Sequence, residues 1–297
     1  MVLWLLRMLA RWPLWLLHVA GTLGGWAAYG LSAGFRRKTV DNLRSAGLHR
    51  PALAWGSAAA AGRAALETAY IWFRPAAQLM RLSAHDDYAA LARQIEARRA
   101  AGDRSGAILL TPHIGSFELG ARLYAAVAPI TVLYKAPRRA DLHAILKVAR
   151  SHPGLTAVPA DTGGVRSLLR ALKRGEAIGI LPDQVPSAGE GRWAPFFGRP
   201  AFTMTLPARL AAKTGAPVYL LAVWRRPFGR GWDLELERVL EPPEPEAINR
   251  RLEAVIRRRP DQYVWSYNRY KGPPAAAPAG PAEPPAVPPP AVPGTPP

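Results

Sequence analysis

Between residues 107 and 258 the chain alternates short apolar or β-branched runs with amphipathic helical patterns. That alternation confines the fold to an α/β sheet with helices outside it. Strands are expected at 107–110, 130–134, 156–159, 177–181, 217–224 and 232–239. Helices are expected at 89–101, 117–126, 142–150, 164–174 and 245–258, with one or two more in the alanine-rich 52–82. In 164–174, Val165, Leu168, Leu169 and Leu172 share one face, and Gly175 follows as the stop signal. In such sheets the reactive groups gather beyond the carboxyl ends of the strands, where this chain places His113 and Asp183.

The amino terminus has another character. Residues 1–35 carry only two formal charges, Arg7 and Arg11, and residues 12–35 carry none. That stretch exceeds the ~20 residues of a bilayer-spanning helix. Trp12 and Trp15 at its start and Tyr29 near its end suit an interface, and Arg36-Arg37-Lys38 follow on the side that the positive-inside rule assigns to the cytoplasm. Residues 1–35 are therefore expected as a membrane-anchoring helix. Gly21, Gly24, Gly25, Gly30 and Gly34 weaken it, so a full span and a monotopic insertion both fit. Residues 36–271 form the expected catalytic domain. Residues 272–297, nearly all Pro, Ala and Gly with Glu283 as their one charge, are expected as a disordered tail without a catalytic role.

Composition removes several classes of chemistry. The chain of 297 residues has no cysteine, so no thiol nucleophile and no thiolate metal site, and no metal or cofactor is expected. The formal net charge is +18, from 39 Lys and Arg against 21 Asp and Glu. Such an excess points to a nucleic acid, an anionic membrane face or an acidic protein. No recognisable nucleic-acid-binding module is present, so a basic scaffold or nucleic-acid binder rests on charge alone.

Thr111-Pro112-His113-Ile114-Gly115-Ser116-Phe117-Glu118 directly follows the first strand. An imidazole there can act as a base toward a hydroxyl, and Glu118, five positions on, is the expected carboxylate that orients it. Gly115 permits a tight turn and Ser116 is placed to cap the next helix. The other reading is a histidine that merely packs at a strand end. A serine hydrolase built on Ser116 would want a Gly-x-Ser-x-Gly elbow, which this stretch lacks. A second block joins Asp183 and Gln184 to a loop rich in Gly, Pro and aromatics. There Phe196, Phe197 and Gly198 suit an apolar groove, and Arg192 and Arg199 suit phosphate-bearing groups; alternatively the phenylalanines are core anchors. Lys135 and Arg166 belong to a basic set between the two blocks that reads either as a phosphate rim or as a solvated face.

In this order, the blocks resemble the bacterial lipid A late acyltransferases, lauroyl and myristoyl transferases of the wider lysophospholipid acyltransferase superfamily. The resemblance covers roughly residues 1–272. It includes the segment from Arg37 to Leu43, His113 with Glu118, Tyr134-Lys135-Ala136-Pro137, Asp183-Gln184, Phe196-Phe197-Gly198 and Arg269-Tyr270-Lys271. Where members often carry Tyr-Arg-Pro, this chain has Lys135 and Ala136 before Pro137, which keeps the charge without the bidentate fork. The resemblance implies a glycerolipid-acyltransferase-like fold at the cell inner membrane, with its catalytic domain on the cytoplasmic side. It implies transfer of a fatty acyl chain from acyl carrier protein, or acyl-CoA, to a hydroxyl of a lipid A precursor. Another acceptor, such as an ornithine lipid, a lysophospholipid or a glycolipid, is compatible with the same fold.

Overall fold

The computed structural model describes residues 2–84, 86–103, 105–134 and 140–272. The proline-rich tail beyond lies outside the described residues. The amino-terminal part is helical: α1 (Val2–Leu9), α2 (Leu14–Leu31), α3 (Ala33–Ser45), α4 (Pro51–Phe73) and α5 (Ala76–Arg81). Strands and helices then alternate: β1 (Ser83–Ala84), α6 (Asp86–Ala100), β2 (Ala107–Leu110), α7 (Phe117–Tyr124), β3 (Ile130–Tyr134), α8 (Ala140–Ala149), β4 (Leu155–Pro159), α9 (Thr162–Lys173) and β5 (Ala177–Ile180). A hairpin of β6 (Gly191–Phe196) and β7 (Arg199–Met204) precedes α10 (Leu206–Thr214), β8 (Val218–Arg225), β9 (Trp232–Val239) and α11 (Pro245–Arg258).

The main sheet has seven strands in the order β1-β9-β8-β2-β5-β3-β4. Strands joined through a helix run parallel, whereas β8 and β9, joined by a short connection, pair antiparallel. The expected α/β sheet flanked by helices is therefore present, as a mixed sheet. Both faces are covered, so the central strands are apolar throughout. Residue parity sorts their side chains. Ile108, Leu110, Ile178 and Ile180 join one buried cluster with Leu168, Leu172, Leu252 and Ile256; Ala107, Leu109, Tyr219 and Leu221 join the other with Ile71, Leu119 and Leu123.

The block at 191–203, expected as a loop, is a hairpin. Its turn is Phe197-Gly198, both at positive φ (48° and 72°), the geometry favoured between two tightly paired strands.

The expected amino-terminal anchoring helix is corrected. The uncharged stretch is cut at both ends, by Pro13 before α2 and by Ser32 after it. Ser32 accepts the N–H of Phe35 and starts α3, while Arg36 donates to the carbonyls of Tyr29 and Gly30. The resulting helix has 18 residues, or about 27 Å. No helix among the described residues is long and apolar enough to cross a membrane. The glycines of α2 are a packing surface. A Cβ on Gly25 would stand 2.1 Å from the Ala58 carbonyl oxygen, and one on Gly62 would stand 1.9 Å from that of Gly21, so α2 and α4 touch backbone to backbone. Gly24, one position from Gly25, faces open space. Gly25→Val should therefore destabilise the fold by about 1–3 kcal/mol. Gly24→Ala should leave stability unchanged or raise it by up to about 1 kcal/mol through helix propensity. Chemical denaturation of the two variants checks this, and equal effects would contradict the packing.

Candidate active site

Strand register brings the reactive groups together. β2 and β5 lie side by side, parallel, with Leu110 opposite Ile180. The ladder continues one step further, through the Thr111 N–H to the Ile180 carbonyl at 3.0 Å. His113 and Asp183 are each the third residue past those partners. The Asp183 carboxylate accepts the backbone N–H of His113 at 2.9 Å and meets its ring Nδ1 at 2.7 Å. Gln184 places its amide nitrogen 2.9 Å from Nε2. With Nδ1–H donated to Asp183, Nε2 carries the lone pair and accepts from that amide. The Phe117 ring, its centroid 4.7 Å from that of the imidazole, packs on the histidine.

Asp183 is buried, with 2% of its side chain exposed, against 18% for His113. Burial works to raise the Asp183 pKa. The charge of His113, the two hydrogen bonds from it and the nearby Arg269 outweigh burial and leave that pKa below its ordinary value. The carboxylate is therefore an anion fixed behind the ring.

The sequence-based assignment of Glu118 as the orienting group is corrected on this geometry. Both ring nitrogens of His113 are engaged by residues 183 and 184. Glu118 instead accepts from Trp72 Nε1 at 3.1 Å and from Arg150 at 2.5 Å. Arg150 lies over the rings of Trp72 and Tyr134, so the Glu118–Arg150 pair sits in an aromatic frame. Ser116 does not cap α7. Its hydroxyl donates to Glu67 at 2.5 Å and is buried, which removes it as a nucleophile.

A second set of interactions holds the turn after His113 from behind. Gly115 has φ +52°, and a Cβ there would strike the Val223 carbonyl oxygen at 1.8 Å. Its N–H donates to the Gln262 carbonyl, the Ser116 N–H donates to that of Val223, and the Val264 N–H donates to that of His113. Arg225, at the end of β8, donates to the Gly115 carbonyl at 2.6 Å and pairs with Glu67 at 2.6 Å. Glu67, on α4, also meets His18 Nε2 at 2.9 Å.

His113 and Glu118 open onto a cleft of about 540 Å³ between the ends of the strands and α8, α9 and α10. Its walls are largely apolar, with Leu133, Leu146, Val165, Ile180, Leu181 and Leu206; Arg150, Arg209 and Glu190 are charged groups in its lining. The sequence model of the family described as "Bacterial lipid A biosynthesis acyltransferase" matches residues 1–272.

The chain belongs to that family. It is 25% identical over 226 residues to a lipid A biosynthesis lauroyltransferase of Escherichia coli, covering 73% of this chain and 71% of that one. A lipid A biosynthesis palmitoleoyltransferase of the same organism is 24% identical over 217 residues, 71% of this chain and 68% of the relative. A lipid A biosynthesis acyltransferase of Shigella flexneri matches to the same extent.

Within this acyltransferase the expected substrate contacts divide. Gln184 lies in the cleft lining beside His113. The hairpin group lies elsewhere. Phe196 and Phe197 are buried core anchors, Gly198 forms the turn, Arg192 pairs with Glu244 and Glu246, and Arg199 bonds Ser45 and covers the Tyr270 ring. Arg166 is an exposed residue of α9 outside the cleft lining, and Lys135 lies outside the described residues. Arg150 and Arg209 stand in no motif that singles them out in the sequence. Among the described residues no cluster of metal-ligating side chains occurs.

Glu67 yields a pH prediction. Burial would raise its pKa, but Arg225 and the hydrogen bonds from His18 and Arg225 bring it down to about 2, from 4.5. Its stabilising contribution is complete above pH 4.5 and is lost as pH falls through about 2, because over that window the unfolded chain binds a proton that the native chain does not. The contribution is on the order of 3 kcal/mol. Glu67→Ala, which strands Arg225, should cost about 3–5 kcal/mol near neutral pH and flatten the acid limb of the stability curve. Denaturant unfolding at stepped pH measures both, and an unchanged acid limb would contradict the assignment.

Proposed function

We propose that this protein transfers a fatty acyl chain from the thioester of an acyl carrier protein to a hydroxyl of a lipid A precursor, with His113 as general base and Asp183 as the group that orients it. The observation that carries the reading is the Asp183–His113 pair. Its carboxylate occupies Nδ1 at 2.7 Å and leaves the Nε2 lone pair on the cleft side. The acceptor hydroxyl takes the place of the Gln184 amide at Nε2. Its oxygen attacks the thioester carbonyl as the proton passes to the ring, giving a tetrahedral oxyanion and an imidazolium held against Asp183. The displaced Gln184 amide, in the cleft lining beside His113, is a hydrogen-bond donor within reach of that oxyanion. Collapse breaks the C–S bond, and the departing thiolate recovers the proton from His113. Acceptor hydroxyl and thiol balance, and no acyl-enzyme is required.

The rest of the cleft supports a lipid substrate. Its leucines and Val165 suit an acyl chain, and Arg150 and Arg209 suit acceptor phosphates. The net charge of +18 favours an acidic carrier protein and the anionic cytoplasmic face of the inner membrane. Along α2, Trp15, Val19, Leu23 and Trp26 are 55, 50, 58 and 43% exposed. Their spacing makes one apolar stripe suited to lying on a bilayer rather than crossing it.

His113→Ala and Asp183→Asn should each reduce acyl transfer by about 10²–10⁴-fold while leaving the fold intact. Glu118→Gln should cost less than either. Transfer of labelled acyl chains from acyl carrier protein to a lipid A precursor, read by mass spectrometry, measures this. Near wild-type turnover in Asp183→Asn, or a larger loss in Glu118→Gln, would overturn the assignment of roles.

A further inference from the structure

A second cavity, of about 870 Å³, lies on the other side of the His113 turn from the catalytic cleft. One wall is the exposed stripe of α2, from Trp15 to Trp26, and facing it is Phe228, which is 86% exposed at positive φ. The floor is His18 and Arg225, both bonded to Glu67.

The cavity is cationic as well as apolar. Arg225 is neutralised by Glu67, and Arg226 by Asp233. Arg63 and Arg259 also line it, and neither has a carboxylate within ion-pair distance among the described residues. Arg63 Nε is buried without a hydrogen-bond partner. Among the described residues Asp261, whose charge acts on Arg63, is the one carboxylate in the lining, so these two guanidinium groups face one acid. The balance leaves one positive charge beside an apolar wall.

We propose that this cavity binds a phospholipid with a singly anionic phosphodiester headgroup. Its phosphate is held by Arg63 and Arg259, and an acyl chain lies along Trp15, Val19, Leu23 and Trp26. Charge and shape point to the same occupant. A free anion would leave the apolar wall in water, and a zwitterionic lipid would bring a cation to a site already one charge positive. The site lies outside the catalytic cleft, and its floor is Arg225, which holds the Gly115 carbonyl, with His18, which bonds the Glu67 carboxylate that holds Ser116. The bound lipid therefore rests against the support of the catalytic turn.

The test uses the full chain and a short-chain phosphatidylglycerol below its micellar concentration, so that monomer binding is separated from adsorption to a surface. Saturable quenching of tryptophan emission by the brominated form is expected. Short-chain phosphatidylcholine and glycerol phosphate should each bind about tenfold more weakly, as should phosphatidylglycerol to Arg63→Gln with Arg259→Gln. Leu23→Glu, at a position 58% exposed and therefore tolerant in the fold, should weaken binding by at least as much. His113→Ala should bind as the wild type does, which separates this site from the acyl-transfer reading. Equal binding of phosphatidylcholine, equal binding of glycerol phosphate, or unchanged binding in Leu23→Glu would each overturn the proposal.

Discussion

The parallel, in-register pairing of β2 with β5 is the constraint on which the site depends. With Leu110 opposite Ile180, the two chains leave the sheet side by side, and the third residue of each meets the third of the other. His113 and Asp183 are thereby joined at two points, backbone N–H and ring Nδ1, by one carboxylate. A slip of one residue would turn every side chain of β2 to the opposite face, so the hydrophobic sorting that builds both cores also sets the geometry of the pair. Alignment of the pair is here a consequence of strand packing.

The same turn is secured from the opposite side by buried charge. Glu67, Arg225, His18 and Ser116 form a connected group in which each polar atom named above has a partner. Buried ion pairs cost desolvation and are weak devices for stability, but removing one member is expensive. What this one contributes is position: Arg225 holds the Gly115 carbonyl, and Glu67 holds Ser116. It also joins the turn, through His18, to α2, the helix that carries the exposed tryptophans. The exposed apolar stripe of α2 and the turn after His113 are thus joined through one unit, built on glycine contacts between α2 and α4.

Much of this was legible from residue patterns. The strand–helix alternation, the placing of His113 and Asp183 at strand ends, and the family resemblance all pointed to an α/β acyltransferase. Proximity along the chain misled on the partner of His113. Glu118 is five residues from His113, but α7 carries it toward Trp72 and Arg150, while Asp183, seventy residues away, arrives through the sheet. The clue was present: two apolar strands, each followed at the same interval by a polar group, become neighbours if the strands pair in register. The hairpin aromatics misled because a Phe-Phe-Gly run reads equally as groove and as turn, and only packing shows that Phe196 is core. An uncharged stretch as long as a membrane span became a shorter helix because Pro13 and Ser32 interrupt it, and its glycines serve contact with α4.

The central claim is that Asp183 holds the Nδ1 proton and leaves Nε2 unprotonated as the base. Nitrogen NMR of the protein with ¹⁵N-labelled histidine, assigned by loss of the His113 signals in His113→Ala and recorded where the ring is neutral, reads that arrangement directly. The account predicts a protonated Nδ1 and an unprotonated Nε2 for His113, and disturbance of that preference in Asp183→Asn. A proton on Nε2 in the wild-type protein, or a tautomer indifferent to Asp183, would contradict it.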